Sequence, residues 1–138
     1  GLADAMYRSG YQRLADEIDA LPNIDDPIER MRTYSFAYRR VALANPAHYT
    51  HITGRPNADY DPPRDRQRCA APTMEPRDDA VRAACAAGVL EGDPRTGAMR
   101  LWAAGHGRDS LELHGLVEVD DAEANEYFDR LVDAHRPR

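Results

Sequence analysis

The chain has 138 residues, of which 42% are hydrophobic, enough for one domain over residues 1–138 that buries roughly two-thirds of its surface. Its 18 basic residues are all arginine and are scattered, and the net charge of −6 argues against nucleic-acid binding by these residues. The sequence predicts neither a signal peptide nor a membrane span, and its two cysteines form no metal or disulfide motif, so we expect a cytoplasmic domain with reduced thiols.

The first predicted helix covers residues 2–21. Its apolar stripe recurs with the spacing of one helix face, at Tyr7, Tyr11, Leu14 and Ile18. Pro22 ends it. No capping side chain precedes the helix, and a start without a cap indicates that the natural chain continues upstream.

Prolines mark the next two predicted helices. Asp26-Pro27 and Asn45-Pro46 each place a capping side chain before a proline at the first helical position. We expect these helices to end at about Ala44 and Thr53. Residues 55–75 contain four prolines and show no periodicity, which predicts a mobile loop that orders, if at all, over a ligand pocket.

Three further helices complete an all-α, six-helix bundle-like domain. The fourth is predicted over residues 76–90, and the fifth from Asp93-Pro94 to about Val119. The sixth begins with the capping-box pattern Asp120 and Glu123 and ends near His135. We find no strand pattern and no internal repeat.

The fifth helix contains "LWAAGHGRDSLELHG", residues 101–115, and is apolar or small on two sides. One predicted face carries Met99, Trp102, His106, Asp109, Leu113, Leu116 and Val117. The opposite face carries Ala104, Gly107, Leu111 and Gly115. Because small residues let a second backbone approach closely, we expect this opposite face and Leu131 of the last helix to form a two-fold homodimer contact.

Tyrosines are frequent in the first three helices. A buried tyrosine hydroxyl needs a partner, and several tyrosines beside Trp102 and His106 suit a pocket with apolar walls and a few polar points. The predicted ligand-binding residues are Tyr11, Tyr34, Tyr38, Tyr49, Trp102, His106 and Asp109. The alternative, that the hydroxyl groups simply reach the surface, stays open at this point.

Asp109 needs a counter-charge if its face is buried. The sequence offers three partners: protonated His106, an arginine of a neighbouring helix such as Arg39, or a cationic group of the ligand. A ligand with a flat or aromatic body and at least one polar or cationic group would suit Trp102 and the tyrosines.

Metal and catalytic alternatives rest on two residue pairs, each of which includes a histidine. His48 and His51 have a spacing compatible with one metal ion but lack an evident third ligand. His106 and Asp109 lie three residues apart and could form an acid–base pair in a small helical enzyme. Phosphate-binding loops and nucleophile elbows are missing from the sequence, so we predict no catalysis, no metal and no cofactor.

Three segments together resemble the C-terminal domain of tetracycline-repressor-like transcriptional regulators. "LWAAGHGRDSLELHGL", residues 101–116, is similar to that family's Trp-His-Gly signature. "YRRVALANPAHYTHITGRP", residues 38–56, is similar to a helix ending before a proline, a short aromatic-bearing helix and Gly-Arg-Pro. "GLADAMYRSGYQRL", residues 1–14, resembles the segment after the DNA-reading helix.

The resemblance implies an all-α regulatory domain that binds a small-molecule effector and dimerises through its last two long helices. DNA binding would belong to an N-terminal helix-turn-helix that this sequence does not include. The expected function is therefore that of the ligand-responsive half of a transcriptional regulator, with release from DNA by a small ligand.

Overall fold

The computed structural model describes residues 1–53 and 66–138, which form six α-helices and no strand. The helices are α1 (Leu2–Asp19), α2 (Pro27–Ala44), α3 (Pro46–Thr53), α4 (Arg66–Ala86), α5 (Pro94–Leu113) and α6 (Asp121–Asp133). The all-α, six-helix prediction is confirmed. Within these ranges, every helix is too short or too polar to cross a membrane.

Capping side chains start three helices at the predicted places. The Asp26 carboxylate accepts a hydrogen bond from the Ile28 amide at 2.8 Å, at the start of α2. Asp93 accepts from the Thr96 amide at 3.0 Å, and Asp120 caps α6 in the same way. Each carboxylate satisfies an amide that has no partner inside its helix, so these starts follow directly from the sequence.

The fifth helix ends at Leu113 rather than near Val119, because Gly115 reverses the chain. Gly115 adopts φ = 71°, and the Leu116 amide donates to the Leu111 carbonyl at 3.0 Å. This is a Schellman ending, which glycine favours because its positive φ carries no Cβ penalty. Gly115 therefore lies after the helix and does not belong to the predicted row of small residues.

The fourth helix differs from its prediction at both ends. It starts at Arg66, so the predicted loop is wrong for residues 66–75, and the remainder of that prediction, residues 55–65, lies outside the described residues. It ends at Ala86, before a second glycine reversal at Gly88, instead of at Leu90.

The early start of α4 is explained by its buried face. Pro72 and Pro76 lie inside the helix but on its exposed side. The buried side recurs every three or four residues, at Ala70, Thr73, Arg77, Ala80, Val81 and Ala84. Burial of this face offsets the helical hydrogen bonds that two prolines cannot donate.

Two clusters of buried side chains form the core. The tyrosine cluster contains Tyr7, Tyr11, Leu14, Ile18, Tyr34, Tyr38, Val41, Ala42, Tyr49 and Ala70. The second cluster is called the aliphatic cluster after most of its side chains, and it includes one aromatic ring, Phe128. Its members are Ile28, Met31, Ala80, Val81, Ala84, Leu90, Ala98, Phe128 and Val132. Helices α2 and α4 contribute to both clusters, so they hold the two halves of the bundle together.

Arg39 fixes the connection between α5 and α6 against α2. Its Nε and Nη2 contact the two carboxylate oxygens of Glu112 at 3.0 and 2.6 Å. Its Nη1 contacts Asp121 at 2.9 Å, and Nη2 also donates to the Val119 carbonyl. These ion pairs raise the pKa of Arg39, and a charged anchor with four acceptors holds the reversed chain in place.

Candidate functional site

A cleft of about 1120 Å³ lies beside the tyrosine cluster and between four helices. Its lining residues come from α1, α2, α4 and α5: Tyr11, Leu14, Tyr34, Tyr38, Ala70, Ala71, Thr73, Met74, Glu75, Asp78, Arg82, Arg95, Met99, Trp102 and His106. The structure therefore brings five of the seven predicted ligand-binding residues to one cleft. A cleft of this size has the character of a small-molecule site, and its wall combines aromatic rings with polar and charged side chains, among them Glu75, Asp78, Arg82 and Arg95.

A second, much smaller cavity of about 30 Å³ lies between α2, α4 and α5. It shares Tyr34, Tyr38, Trp102 and His106 with the cleft, so these four side chains separate the two spaces. Asp109 lines the small cavity and not the cleft. Its volume suits one water molecule or one small polar group.

A chain of hydrogen bonds connects the wall residues. The Tyr38 hydroxyl donates to the Tyr49 hydroxyl at 3.4 Å, and Tyr49 in turn is hydrogen-bonded to Nδ1 of His106. Tyr49 thus lies behind the wall and supports two residues that face the cleft. The chain runs from Tyr38 of α2 through Tyr49 of α3 to His106 of α5, and it orients Tyr38 and His106.

Burial sets the proton positions along this chain. It raises the pKa of Tyr49 and of Tyr38, so both hydroxyls keep their protons. It lowers the pKa of His106, which is therefore neutral at pH 7. In the tautomer in which Tyr49 donates to Nδ1, the histidine proton lies on Nε2, which makes Nε2 a donor.

The alternative in which the hydroxyl groups simply reach the surface is wrong for Tyr34, Tyr38 and Tyr49. The Tyr34 hydroxyl is buried and donates to the Thr73 carbonyl at 2.7 Å, and burial raises its pKa. Thr73 lies in the proline-containing part of α4, where Pro76 lacks an amide donor. Tyr34 therefore supplies a hydrogen bond to a turn of α4 that is short of donors.

Asp109 is 1% exposed and pairs with its neighbour Arg108, which was not among the expected partners. Nη2 and Nε of Arg108 lie 3.1 and 3.3 Å from one carboxylate oxygen. Arg39 is instead engaged by Glu112, and His106 by Tyr49. Burial raises the pKa of Asp109 to about 6, although the Arg108 charge opposes the shift.

Arg77 is the main site residue that the sequence interpretation missed. It lines the small cavity, is 7% exposed, and lies with its guanidinium carbon 5.5 Å from the centre of the Trp102 ring. Its Nη2 and Nε donate to Asp78 at 2.8 and 3.1 Å. The three- and four-residue spacing from Ala70 through Thr73 to Arg77 was the available signal, but the prolines concealed it.

The predicted dimer face is open in the structure. Ala104, Gly107 and Leu131 are half-buried and Leu111 is exposed, and a Cβ built on Gly107 meets no atom within 4 Å. Three residues predicted on the inward face of the fifth helix are also exposed: Met99, Leu116 and Val117. Leu116 and Val117 follow the chain reversal at Gly115 and are not helical, so their predicted place on a helix face is wrong.

The described residues do not support the alternative of a metal site. Across the described ranges, no group of three or more histidine, cysteine or acidic side chains is arranged to hold a metal ion. The His51 side chain lies outside the described part of the chain, and the predicted His48–His51 metal pair therefore lies outside it as well. His106 and Asp109 take separate partners, as above, and do not form the acid–base pair.

The sequence model of the family described as "Tetracyclin repressor-like, C-terminal domain" matches residues 31–135. The chain belongs to this family. A protein with unknown function from Rhodococcus sp. RHA1 has the same fold as this tetracycline repressor-like domain, with a TM-score of 0.77 and 21% identity over 99% of this chain and 72% of that one. A comparison with curated proteins gives no match.

Proposed function

We propose that this tetracycline repressor-like domain is the effector-binding and dimerisation part of a transcriptional regulator. The single observation that carries the proposal is the cleft beside the tyrosine cluster, into which Tyr11, Tyr34, Tyr38, Trp102 and His106 converge from α1, α2 and α5. Its volume of about 1120 Å³ accommodates a ligand of drug or metabolite size. Ligand binding between helices supplies the differential contact by which an effector shifts a regulator between two states.

The wall of the cleft favours a flat ligand. Trp102 and the two tyrosines of α2 offer aromatic faces, and hydrogen bonds to the Thr73 carbonyl and the Tyr49 hydroxyl hold Tyr34 and Tyr38 before a ligand arrives. Because fixed side chains lose little conformational entropy on binding, such a wall favours affinity. Tyr49 contributes as a support, while Tyr11 extends the wall on the α1 side.

The homodimer is proposed to form across α5 and α6. This surface carries Leu111 and Tyr127 exposed at 46% and 41%, with Leu131 half-buried beside them. Open space at Gly107 permits a second backbone to approach there, next to Ala104. Gly115, which reverses the chain after α5, lies outside this helical stripe.

Sedimentation tests the dimer directly. We expect the chain to sediment as a dimer at micromolar concentration and Gly107→Phe to sediment as a monomer, since a ring there keeps the two backbones apart. Ser9→Phe, which adds the same ring to an exposed position of α1, is the matched control and should remain dimeric. Gly115 is unsuitable for this test, because its positive φ makes any replacement strain the fold itself.

Trp102 is the only tryptophan, so its fluorescence reports the cleft without labelling. An effector should shift that fluorescence saturably and change the transcript level of genes flanking the natural gene, compared with a deletion strain. Compounds that shift Trp102 fluorescence without any effect on transcripts would contradict the regulatory role, while a monomer that still binds would contradict the proposed dimer alone.

A further inference from the structure

Arg77 carries a buried nitrogen that the fold leaves without a partner. Two of its guanidinium nitrogens share one oxygen of Asp78, while Nη1, fully shielded from solvent, has no hydrogen-bond acceptor among residues 1–53 and 66–138. A buried donor in this state costs free energy, most of all on a charged group, and native proteins rarely keep one without a use. A hydrogen-bond acceptor placed next to Nη1 of Arg77 would therefore be stabilised.

The position of Arg77 connects it with the effector cleft. It lines the small cavity and stacks on Trp102, one of the four side chains that separate this cavity from the cleft. His106 lies on the same wall, and it is a second donor in the tautomer that carries its proton on Nε2. A polar group that a ligand extends past Trp102 would meet these donors, while the Asp109 carboxylate of the lining is already held by Arg108.

The charges around the small cavity point the same way. Its lining contains two guanidinium groups, Arg77 and Arg108, against the single carboxylate of Asp109. Arg108 already neutralises Asp109, so that carboxylate offers little attraction to a cation. Arg77 is itself paired with Asp78, which does not belong to this lining, so the lining residues alone carry one more positive than negative charge.

We infer that the effector is an organic acid whose carboxylate enters the small cavity and hydrogen-bonds to Nη1 of Arg77, while its flat body lies in the cleft against Trp102, Tyr34 and Tyr38. The inference rests on the proposed function and names the chemical class of its ligand. Of the polar or cationic group expected from the sequence, it keeps a polar group but makes it anionic. A cavity of about 30 Å³ admits a carboxylate group but not a larger anion such as a phosphate with its ester chain.

Matched probes test the charge. Aromatic bodies of phenyl, naphthyl and indolyl size are each prepared as the acetic acid, its amide and the corresponding ethylamine, and binding to the chain is measured by calorimetry. For at least one body we expect the acid to bind about tenfold or more tightly than its amide and its amine. Tighter binding of the amine, equal binding of all three, or no acid binding at concentrations up to about 1 mM overturns the inference.

Variants locate the contact. Arg77→Met should abolish the preference for the acid over the amide, and Arg77→Lys should retain only part of it, because an ammonium group lacks the planar donor set. Arg68→Met removes an exposed arginine of the same helix that lines neither the cleft nor the small cavity, and it should keep the full preference. If Arg77→Met does not fold, the Arg77→Lys result decides: a preference for the acid that is unchanged from the wild type overturns the assignment to Arg77.

The inference and the proposed function fail separately. If acids bind through Arg77 but leave transcripts of the flanking genes unchanged, the regulatory function is wrong and the ligand class stands. If an amine or a neutral compound changes those transcripts through the same cleft, the regulatory function stands and the organic-acid inference is wrong.

Discussion

The tyrosine cluster and the aliphatic cluster share two helices but differ in what their side chains do. The tyrosine cluster holds five buried tyrosines, and the aliphatic cluster holds none. Beside the first lies a cleft of about 1120 Å³, whereas the gap that Val81, Leu90 and Val132 of the second cluster enclose is about 10 Å³. One half of the domain is closely packed, and the other keeps space open with rings that are held by hydrogen bonds.

The difference follows from the chemistry of the side chains. Aliphatic groups gain stability only by contact, so they close up until little space remains. A tyrosine whose hydroxyl is tied to a carbonyl or to another hydroxyl has a fixed orientation, as for Tyr34 on Thr73. Rings fixed in this way can border an open cleft without collapsing into it. The aliphatic half supplies stability, and the tyrosine half supplies the site.

The largest expected effect is a loss of stability from a substitution in the aliphatic cluster. Phe128 of α6 is 3% exposed and lies under the Arg32 guanidinium at 4.7 Å. Phe128→Ala should lower the free energy of unfolding by about 3–5 kcal/mol in urea titrations at fixed protein concentration, because it removes a large ring from a closely packed cluster. Leu2→Ala, at a position that is 79% exposed, should change it by less than about 0.5 kcal/mol.

The same Phe128→Ala variant separates the two halves functionally. Ligand binding to the fraction that stays folded should be unchanged, since Phe128 lines neither the cleft nor the small cavity. A loss of affinity as large as the loss of stability would show that the two clusters act as one unit, and would contradict the division of roles.

The next effect concerns Asp109, whose folded pKa of about 6 lies above its ordinary value of 3.8. Between these values the folded state binds the proton more tightly than the unfolded chain does. The contribution of Asp109 to stability is therefore greatest at low pH and falls as the pH rises from about 4 to about 6, by up to about 3 kcal/mol. Relative to Asp109→Asn, the wild type should lose stability over that range.

Asp93 gives a control of opposite sign. Its pKa is lowered by hydrogen bonds from the backbone and side chain of Thr96, so its stabilising contribution is present above the unfolded pKa and is lost as the pH falls. Urea titrations at several pH values should give opposite slopes for the differences between wild type and Asp109→Asn and between wild type and Asp93→Asn. Parallel slopes would show that Asp109 is ionised at low pH and is not destabilised by its burial.

Helix starts could be predicted from the sequence because their signals are local. A capping carboxylate and a proline occupy adjacent positions at Asp26-Pro27 and Asp93-Pro94, and the structure has a helix beginning at each. At Asn45-Pro46 a helix also begins, but the Asn45 side chain contacts Val41 and Arg13 instead of capping it. Helix ends were less predictable. Gly115 fits both a row of small residues and a chain reversal, and only the hydrogen bonds of the following residues decide between them.

The site could be predicted in part for a similar reason. Tyr34, Tyr38, Trp102 and His106 follow helical spacing, so their convergence on one side could be foreseen. The partners of charged residues could not, because they depend on how the helices rotate against one another. Arg77 was missed because two prolines suggested a loop, whereas the burial of one helix face outweighed the loss of their hydrogen bonds.

The smallest expected effect comes from removing one hydroxyl group of the tyrosine cluster, that of Tyr34. Tyr34→Phe removes a buried hydroxyl but keeps the ring, so the Thr73 carbonyl loses its 2.7 Å hydrogen bond. The free energy of unfolding should fall by about 1–2 kcal/mol, which is the cost of a buried acceptor left without its donor. Because the ring is then free to turn on the wall of the cleft, Trp102 fluorescence should broaden and shift in the absence of any ligand. Tyr127→Phe, on an exposed ring of α6, is the matched control and should change neither quantity. If Tyr34→Phe lowers stability and the Trp102 spectrum stays the same, the hydroxyl stabilises α4 alone and the wall keeps its shape by ring packing, so the orienting role assigned to this hydrogen bond would be wrong.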